Sequence, residues 1–283
     1  MTMIRDVVAT YWTLAGQVLP ASGNEVSPFD FRSRVEAAAA AGYKGMGFVH
    51  DDLEAVRKSI GYPEMHRILA ANGIDDVEVE LIGDWFADGE RRAKSDAVRG
   101  NLLSAASALG ARRLKICGDA ADAQWPKQVL IDAFAALCSD FGKLGMKVGI
   151  EIMPWTNFST IVNTMEIVGP AGTPNGGLFL DIWHMERGGI DLKEIGDLDP
   201  RYIIAVEIND ARADVEGSLF HDTITNRLLP GEGSFDIKLF LAELKRAGYS
   251  GPCGVEILSD QQRLLPLAQA AQVAIDASHP YLD

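Results

Sequence analysis

Basic side chains are in short supply: 26 Lys and Arg stand against 40 Asp and Glu, a formal charge of −14 over 283 residues. Neutralising phosphates needs clustered Lys and Arg, so this balance argues against a nucleic-acid partner. It disfavours an anionic membrane surface for the same reason. Long apolar runs are missing as well, none approaching the ~20 residues of a membrane span. Cysteine is sparse and odd in number. Cys117, Cys138 and Cys253 sit in apolar surroundings (LKICGD, AALCSDF, GPCGVEI) and fit neither a CxxC spacing nor a disulfide framework. They read as three buried thiols in a reducing compartment. The opening MTMIRDVVATYW lacks the basic-then-apolar layout of a signal peptide, so a cytoplasmic location is expected. No GxGxxG follows the first strand and no Walker loop occurs, which speaks against a nucleotide-binding open sheet.

What is present is an ordinary globular composition, 47% hydrophobic, with the acids interspersed among apolar runs. Five Ala- or Leu-rich helical patterns end in a glycine that a strand-like run soon follows, at Gly42, Gly73, Gly110, Gly145 and Gly248. The first intervals are 31, 37 and 35, and the last, 248 − 145 = 103, is close to three more units of about 34. That length suits one strand, one helix and two loops. Strands are expected near 6–11, 45–49, 77–82, 112–117, 147–152, 177–182, 203–208 and 253–257, with helices near 30–41, 63–71, 92–109, 126–143, 158–167, 236–247 and 260–276. Eight alternations of this kind predict an α/β chain folded as one (β/α)8 barrel over 1–283, with no linker dividing it.

Chemistry in such barrels sits at the C-terminal rim of the strands. Four successive strands carry an acid there: Glu151 in GIEIMPW, Asp181 in LFLDIWH, Glu207 in AVEIND and Glu256 in GVEIL. Each is embedded in Ile, Val, Leu or Phe, where an unpaired charge costs several kcal/mol. One such acid is readily a solvated strand end or the partner of a buried Arg. Four at equivalent positions converge and repel one another, and a divalent metal is the economical cation to hold them. An all-carboxylate set suits Mg²⁺ or Mn²⁺ rather than zinc, which prefers nitrogen and sulfur.

These four positions, with the GYKGMGF strand, the DIWH segment and the late PGEG turn, resemble the xylose-isomerase-like TIM barrels of the sugar phosphate isomerase/epimerase superfamily. That group includes tagatose-type 3-epimerases, inosose dehydratases, 3-dehydroshikimate dehydratases and endonuclease-IV-type proteins. The resemblance covers essentially the whole chain and implies a metal held by Glu151, Asp181, Glu207 and Glu256. It departs from the family at the third of these, where a neutral His or Gln is usual. Four ionised carboxylates and one M²⁺ sum to −4 + 2 = −2, which tightens metal binding but weakens the metal's pull on substrate oxygens. Glu207 is expected to ligate; the alternatives are that it is protonated or stands off the metal.

Other residues join this set. The resemblance implies that His184, three after Asp181, faces the substrate, steadying a polarised oxygen or shuttling a proton; a hydrogen-bonded structural histidine is the alternative. His50, ending the second strand in GFVHDDL, is a further substrate-binding candidate. Lys115 in LKICGD is either a substrate-binding cation and proton donor, or a lysine whose stem packs while its amine reaches water. Of Glu78 and Glu80 in VEVEL, one is expected to point inward, and Glu80 lies nearer the rim. The polar stretch 209–235 has the length of a functional rim loop. The resemblance implies an arginine there meeting an anionic or hydroxyl-rich ligand, with Arg227 favoured over Arg212 and surface pairing the alternative for each. Trp12, Trp85, Trp155 and Trp183 flank strand ends, and Trp155 in MPW is the best placed to wall a pocket.

Taken together, these expectations describe a metal-dependent isomerase or epimerase of a small polyhydroxy carbonyl compound. Glu151 and Glu256 would be the acid/base pair removing a proton alpha to the carbonyl to form an enediolate, with His184 on the developing oxyanion. Expulsion of a β-hydroxyl from the same enediolate would make a dehydratase of the 3-dehydroshikimate or inosose type. A zinc-rich DNA-repair nuclease is disfavoured by five histidines and the acidic charge. A non-catalytic ligand-binding barrel is consistent only if the four acids hold no metal. Relatives of this kind often form homodimers, and the resemblance extends that expectation here.

Overall fold

Eight strands alternate with helices and close on themselves in the computed structural model, which describes residues 6–121 and 123–282. They are β1 (Val7–Ala9), β2 (Gly45–Val49), β3 (Asp76–Ile82), β4 (Arg113–Ile116), β5 (Lys147–Glu151), β6 (Gly176–Asp181), β7 (Ile203–Ile208) and β8 (Cys253–Val255). All pair in parallel in sequence order, and β1 bonds to both β2 and β8, so the sheet has no edge. The barrel expected from the repeat is the barrel observed. Residues Met1–Arg5, which open the stretch compared with a signal peptide, lie outside the described residues.

Strands buried on both faces read as continuous apolar runs rather than alternating ones. GMGFV of β2 and IIAVEI of β7 are buried at every position. Helices cover the outside, Leu267–Leu282 packing against Phe31–Ala41 to complete the ring. Two of the punctuating glycines show why that residue recurs: Gly42 and Gly248 follow helix ends at φ 109° and 87°, where any Cβ is strained against its own backbone. Among the described residues no helix is long and apolar enough to cross a membrane. Cys138 and Cys253 are buried as expected, whereas Cys117 is only half-buried, and all three are free thiols.

Some boundaries differ for local reasons. The helix expected at 63–71 begins at His50 and runs to Ala71, broken at Gly61 (φ 75°) just ahead of Pro63. The helix placed at 158–167 is Ile161–Ala171, started by Thr160 in a reciprocal cap with Asn163. The expected 260–276 helix is two pieces, Asp260–Arg263 and Leu267–Leu282.

Gly149 and Gly177 stand side by side on β5 and β6. A Cβ at Gly149 would lie 2.3 Å from the Phe179 ring, and one at Gly177 would lie 2.2 Å from the Tyr202 carbonyl oxygen. A backbone carbonyl cannot turn aside as a side chain can. Gly177→Ala is therefore expected to cost about 1–3 kcal/mol of stability by overpacking, read from the midpoint of urea unfolding.

Candidate metal centre and active site

Glu151 and Asp181 end β5 and β6, Glu207 is the penultimate residue of β7, and Glu256 follows β8 by one. Register sets their mutual height: Asp181 stands beside Glu207, and Glu207 beside Gly254. A Cβ at Gly254 would come within 2.8 Å of Glu207 Cγ, so this glycine leaves the room the glutamate uses. All four acids are 3% exposed or less. One oxygen from each lies within 4.8 Å of the others, and Glu151, Asp181 and His184 form a second group of the same tightness.

Two buried cations enter this cluster. Lys115 on β4 directs Nζ to within 2.6 Å of Glu207 Oε1, 3.2 Å of Glu256 Oε1, 3.4 Å of Glu80 Oε2 and 3.5 Å of Glu151 Oε1. Arg227 donates to Asp181 Oδ2 at 2.5 Å and Glu256 Oε2 at 3.0 Å, and its remaining N–H groups reach the Thr223 carbonyl and hydroxyl. Asp181 also accepts from the Trp183 backbone N–H and from the Asn209 amide, which fixes its orientation. Counting Glu80, five acids and two cations give a formal −5 + 2 = −3 in a space nearly closed to water.

Burial and neighbouring charge act accordingly. Burial pushes Glu151 up to about 8, with Lys115 pulling the other way and Glu256 and Asp181 adding to the rise. Glu80 is pushed up to about 7 by burial, again against Lys115. Burial and the Glu256 charge raise Glu207 well above the usual carboxylate range despite Lys115. For Lys115, burial alone favours the neutral amine, but Glu151, Glu207, Glu256 and Glu80 outweigh it and hold an ammonium. Burial, followed by Arg227, drives His184 well below its ordinary value, so its imidazole is neutral.

These residues fit a divalent metal. The donors are convergent oxygens, the site is short of positive charge, and Glu207 Oε2 and Glu80 Oε1 are buried with no hydrogen-bond partner. A buried carboxylate oxygen without a donor is costly, and a cation satisfies it. The −2 expected from the four acids and a metal is offset by the two side-chain cations: −4 + 2 + 2 = 0.

Above the acids lies a cavity of about 230 Å³ lined by Glu80, Lys115, Glu151, His184, Arg227 and Glu256, and walled by Trp12, Met153, Trp155 and Phe220. Trp155 packs edge-on against His184 at 5.3 Å and Phe220 at 6.1 Å. His184 Nε2 is 3.7 Å from Glu151 Oε1. The four acids, His184, Glu80, Lys115, Trp155 and Arg227 are thus brought together at one place. Two candidates are not. Arg212 is exposed and paired with Glu216 on the surface. His50 sits at a helix start, its Nδ1 2.9 Å from Asp51 and its Nε2 accepting from Asn101, outside the cavity. Glu78 and Glu80 require a correction: both are buried, because residues two apart share a strand face, and Glu78 pairs with Arg113 at 3.0 Å. Arg227, expected to meet a ligand, instead gives its Nη1 to Asp181 and Glu256. Sequence reasoning missed Asn209, Thr223, Phe220 and Glu25, which stand in or beside the site. Asn209, two after Glu207, was findable from strand alternation.

Residues 35–278 match the family described as xylose isomerase-like TIM barrel. A 3-dehydroshikimate dehydratase from Pseudomonas putida is 30% identical over 247 residues, 84% of this chain and 38% of the relative. An inosose isomerase from Bacillus subtilis is 27% identical over 150 residues, 52% of this chain and 53% of the relative. This chain therefore spans well under half the length of the dehydratase and about half that of the isomerase. Among solved structures, an IOLI protein with a bound zinc atom superimposes with a TM-score of 0.85 at 17% identity, covering 98% of both chains, a likeness of fold. The chain belongs to the xylose isomerase-like TIM barrel family, and the relatives it resembles are named as dehydratases and isomerases.

Proposed function

We propose that this barrel is a divalent-metal-dependent isomerase or epimerase acting on a small polyhydroxy carbonyl compound. The observation that carries the reading is the convergence of Glu151, Asp181, Glu207 and Glu256 beneath one cavity, with His184 beside them. Mn²⁺ or Mg²⁺ suits this oxygen-only donor set. When bound, the metal supplies polarisation of the substrate's carbonyl and neighbouring hydroxyl.

The chain's own groups supply the proton chemistry. Glu151, lining the cavity with His184 Nε2 3.7 Å from its Oε1, is placed to take and return a proton. Glu256, just past β8 and across the convergent set from β5, is its partner carboxylate. His184, neutral and shielded, offers an N–H to an oxygen on which charge develops. Trp155, Met153 and Phe220 exclude water and give a ring face to stack on. Trp155→Ala is expected to raise KM about tenfold with a smaller change in kcat, since it removes a wall rather than a reacting group.

A dehydratase using the same site is the second reading. It is favoured by two relatives that match 84% and 82% of this chain, both named 3-dehydroshikimate dehydratase. Ketohexoses, inososes and 3-dehydroshikimate incubated in deuterated water with Mn²⁺ separate the two by mass and NMR. Deuterium at a carbon centre without loss of water supports the isomerase, and a product lighter by one water, with a new C=C or an aromatic ring, supports the dehydratase. Neither outcome across the panel, with metal bound, would place the substrate outside these three classes.

A further inference from the structure

Lys115 stands where the carboxylates meet. Its side chain is 1% exposed, and three of its four acidic partners, Glu151, Glu207 and Glu256, belong to the convergent set of candidate ligands. The reading in which its amine reaches water is removed by that burial. The ammonium stands 5.4 Å from the Phe179 ring centroid, and Phe179 occupies the space that Gly149 leaves. Its shortest contact is to Glu207, the acid at the position where the resemblance implies a neutral ligand. The Glu207 carboxyl therefore has one cationic partner of its own, 2.6 Å away.

We propose that Lys115 is a positioning residue of the metal centre: its ammonium holds Glu151, Glu207 and Glu256 convergent without an ion, opposes the ion's charge, and pairs most closely with Glu207. The proposal rests on the metal reading of the four acids. Without a central cation, carboxylates this close repel and turn apart, so the lysine preserves the site's shape before loading. The same ammonium and a divalent ion draw on the same oxygens, so the lysine lowers ion affinity. Glu80, with Oε2 3.4 Å from Nζ and Oε1 unpartnered, gives the ammonium an acceptor outside the candidate ligand set.

The test is calorimetric titration of Mn²⁺ into chelator-stripped full chain, for wild type, K115M, E207Q and K115M/E207Q, with melting in chelator as a second readout. K115M is expected to bind Mn²⁺ more than about tenfold tighter and to melt lower when metal-free. E207Q, removing the ammonium's shortest carboxylate contact and one candidate ligand while the lysine's charge stays, binds more than about tenfold weaker, and the double variant returns towards wild type. If K115M does not fold, recovery in the double variant over E207Q carries the test alone. Unchanged or weaker affinity in K115M, or a double variant no better than E207Q, overturns the proposal while leaving the metal reading standing. Mn²⁺ binding by K115M but not by wild type supports it; no binding by any folded variant overturns both.

Discussion

Glu151→Gln is expected to lower turnover, and solvent-deuterium exchange into substrate, by at least about a thousandfold. A positioned acid/base group contributes about 10²–10⁴-fold, and the same change also withdraws an oxygen from the metal set. The fold is expected to survive. Glu151 is buried, its nearest cation contact is 3.5 Å away, and its carboxylate is repelled by Glu256 and Asp181. A carboxyl pushed from 4.5 to about 8 by folding loses stability as pH rises between those values, because the unfolded chain releases the proton first. Gln cannot ionise and escapes that loss. Metal-free Glu151→Gln should therefore melt no lower than wild type at pH 8.5, and higher if the charge is the dominant burden. Activity retained within tenfold would remove Glu151 from the chemistry; a collapse in melting temperature would assign it to the scaffold.

The second large effect concerns stability. Arg227 is buried, donates from Nη1 to both Asp181 and Glu256, makes three hydrogen bonds to Thr223 through Nε and Nη2, and lies 5.6 Å over Trp183. Truncating one partner of a buried ion network strands the others. Arg227→Leu is expected to cost about 3–5 kcal/mol in urea unfolding of metal-free protein. Part of that is regained on adding Mn²⁺, which supplies the missing positive charge. Arg227→Lys should recover only a fraction, since one ammonium cannot serve both carboxylates from Nη1's place and also replace the Nε and Nη2 donors to Thr223. A loss below about 1 kcal/mol would mean that the network is solvated in solution.

Much of this molecule is legible in its amino-acid sequence. The barrel follows from a repeat in which helix-ending glycines precede apolar strands, and the four acids are visible because each interrupts a run of Ile, Val, Leu or Phe at the same point of its unit. What stays hidden depends on side-chain direction in segments without periodicity. Arg212 and Arg227 lie on one polar stretch. They part company because Ser218 starts the helix Leu219–Thr225, which carries Thr223 beneath Arg227 and leaves Arg212 on the surface. His50 is expected at the rim because it ends an apolar run, but it begins a helix and turns to Asp51 and Asn101. The missing neutral ligand at Glu207 reads as a departure; its compensation by Lys115, 92 residues away in sequence, emerges only when the barrel closes.

The central claim, that Glu151, Asp181, Glu207 and Glu256 hold a divalent ion, is tested most directly by calorimetric titration of Mn²⁺ into chelator-stripped protein, beside Asp181→Asn. One ion per chain, with thermal stabilisation of wild type and binding at least about a hundredfold weaker in the variant, is the predicted result. No heat of binding and no stabilisation by Mn²⁺ or Mg²⁺ at millimolar concentration would contradict it.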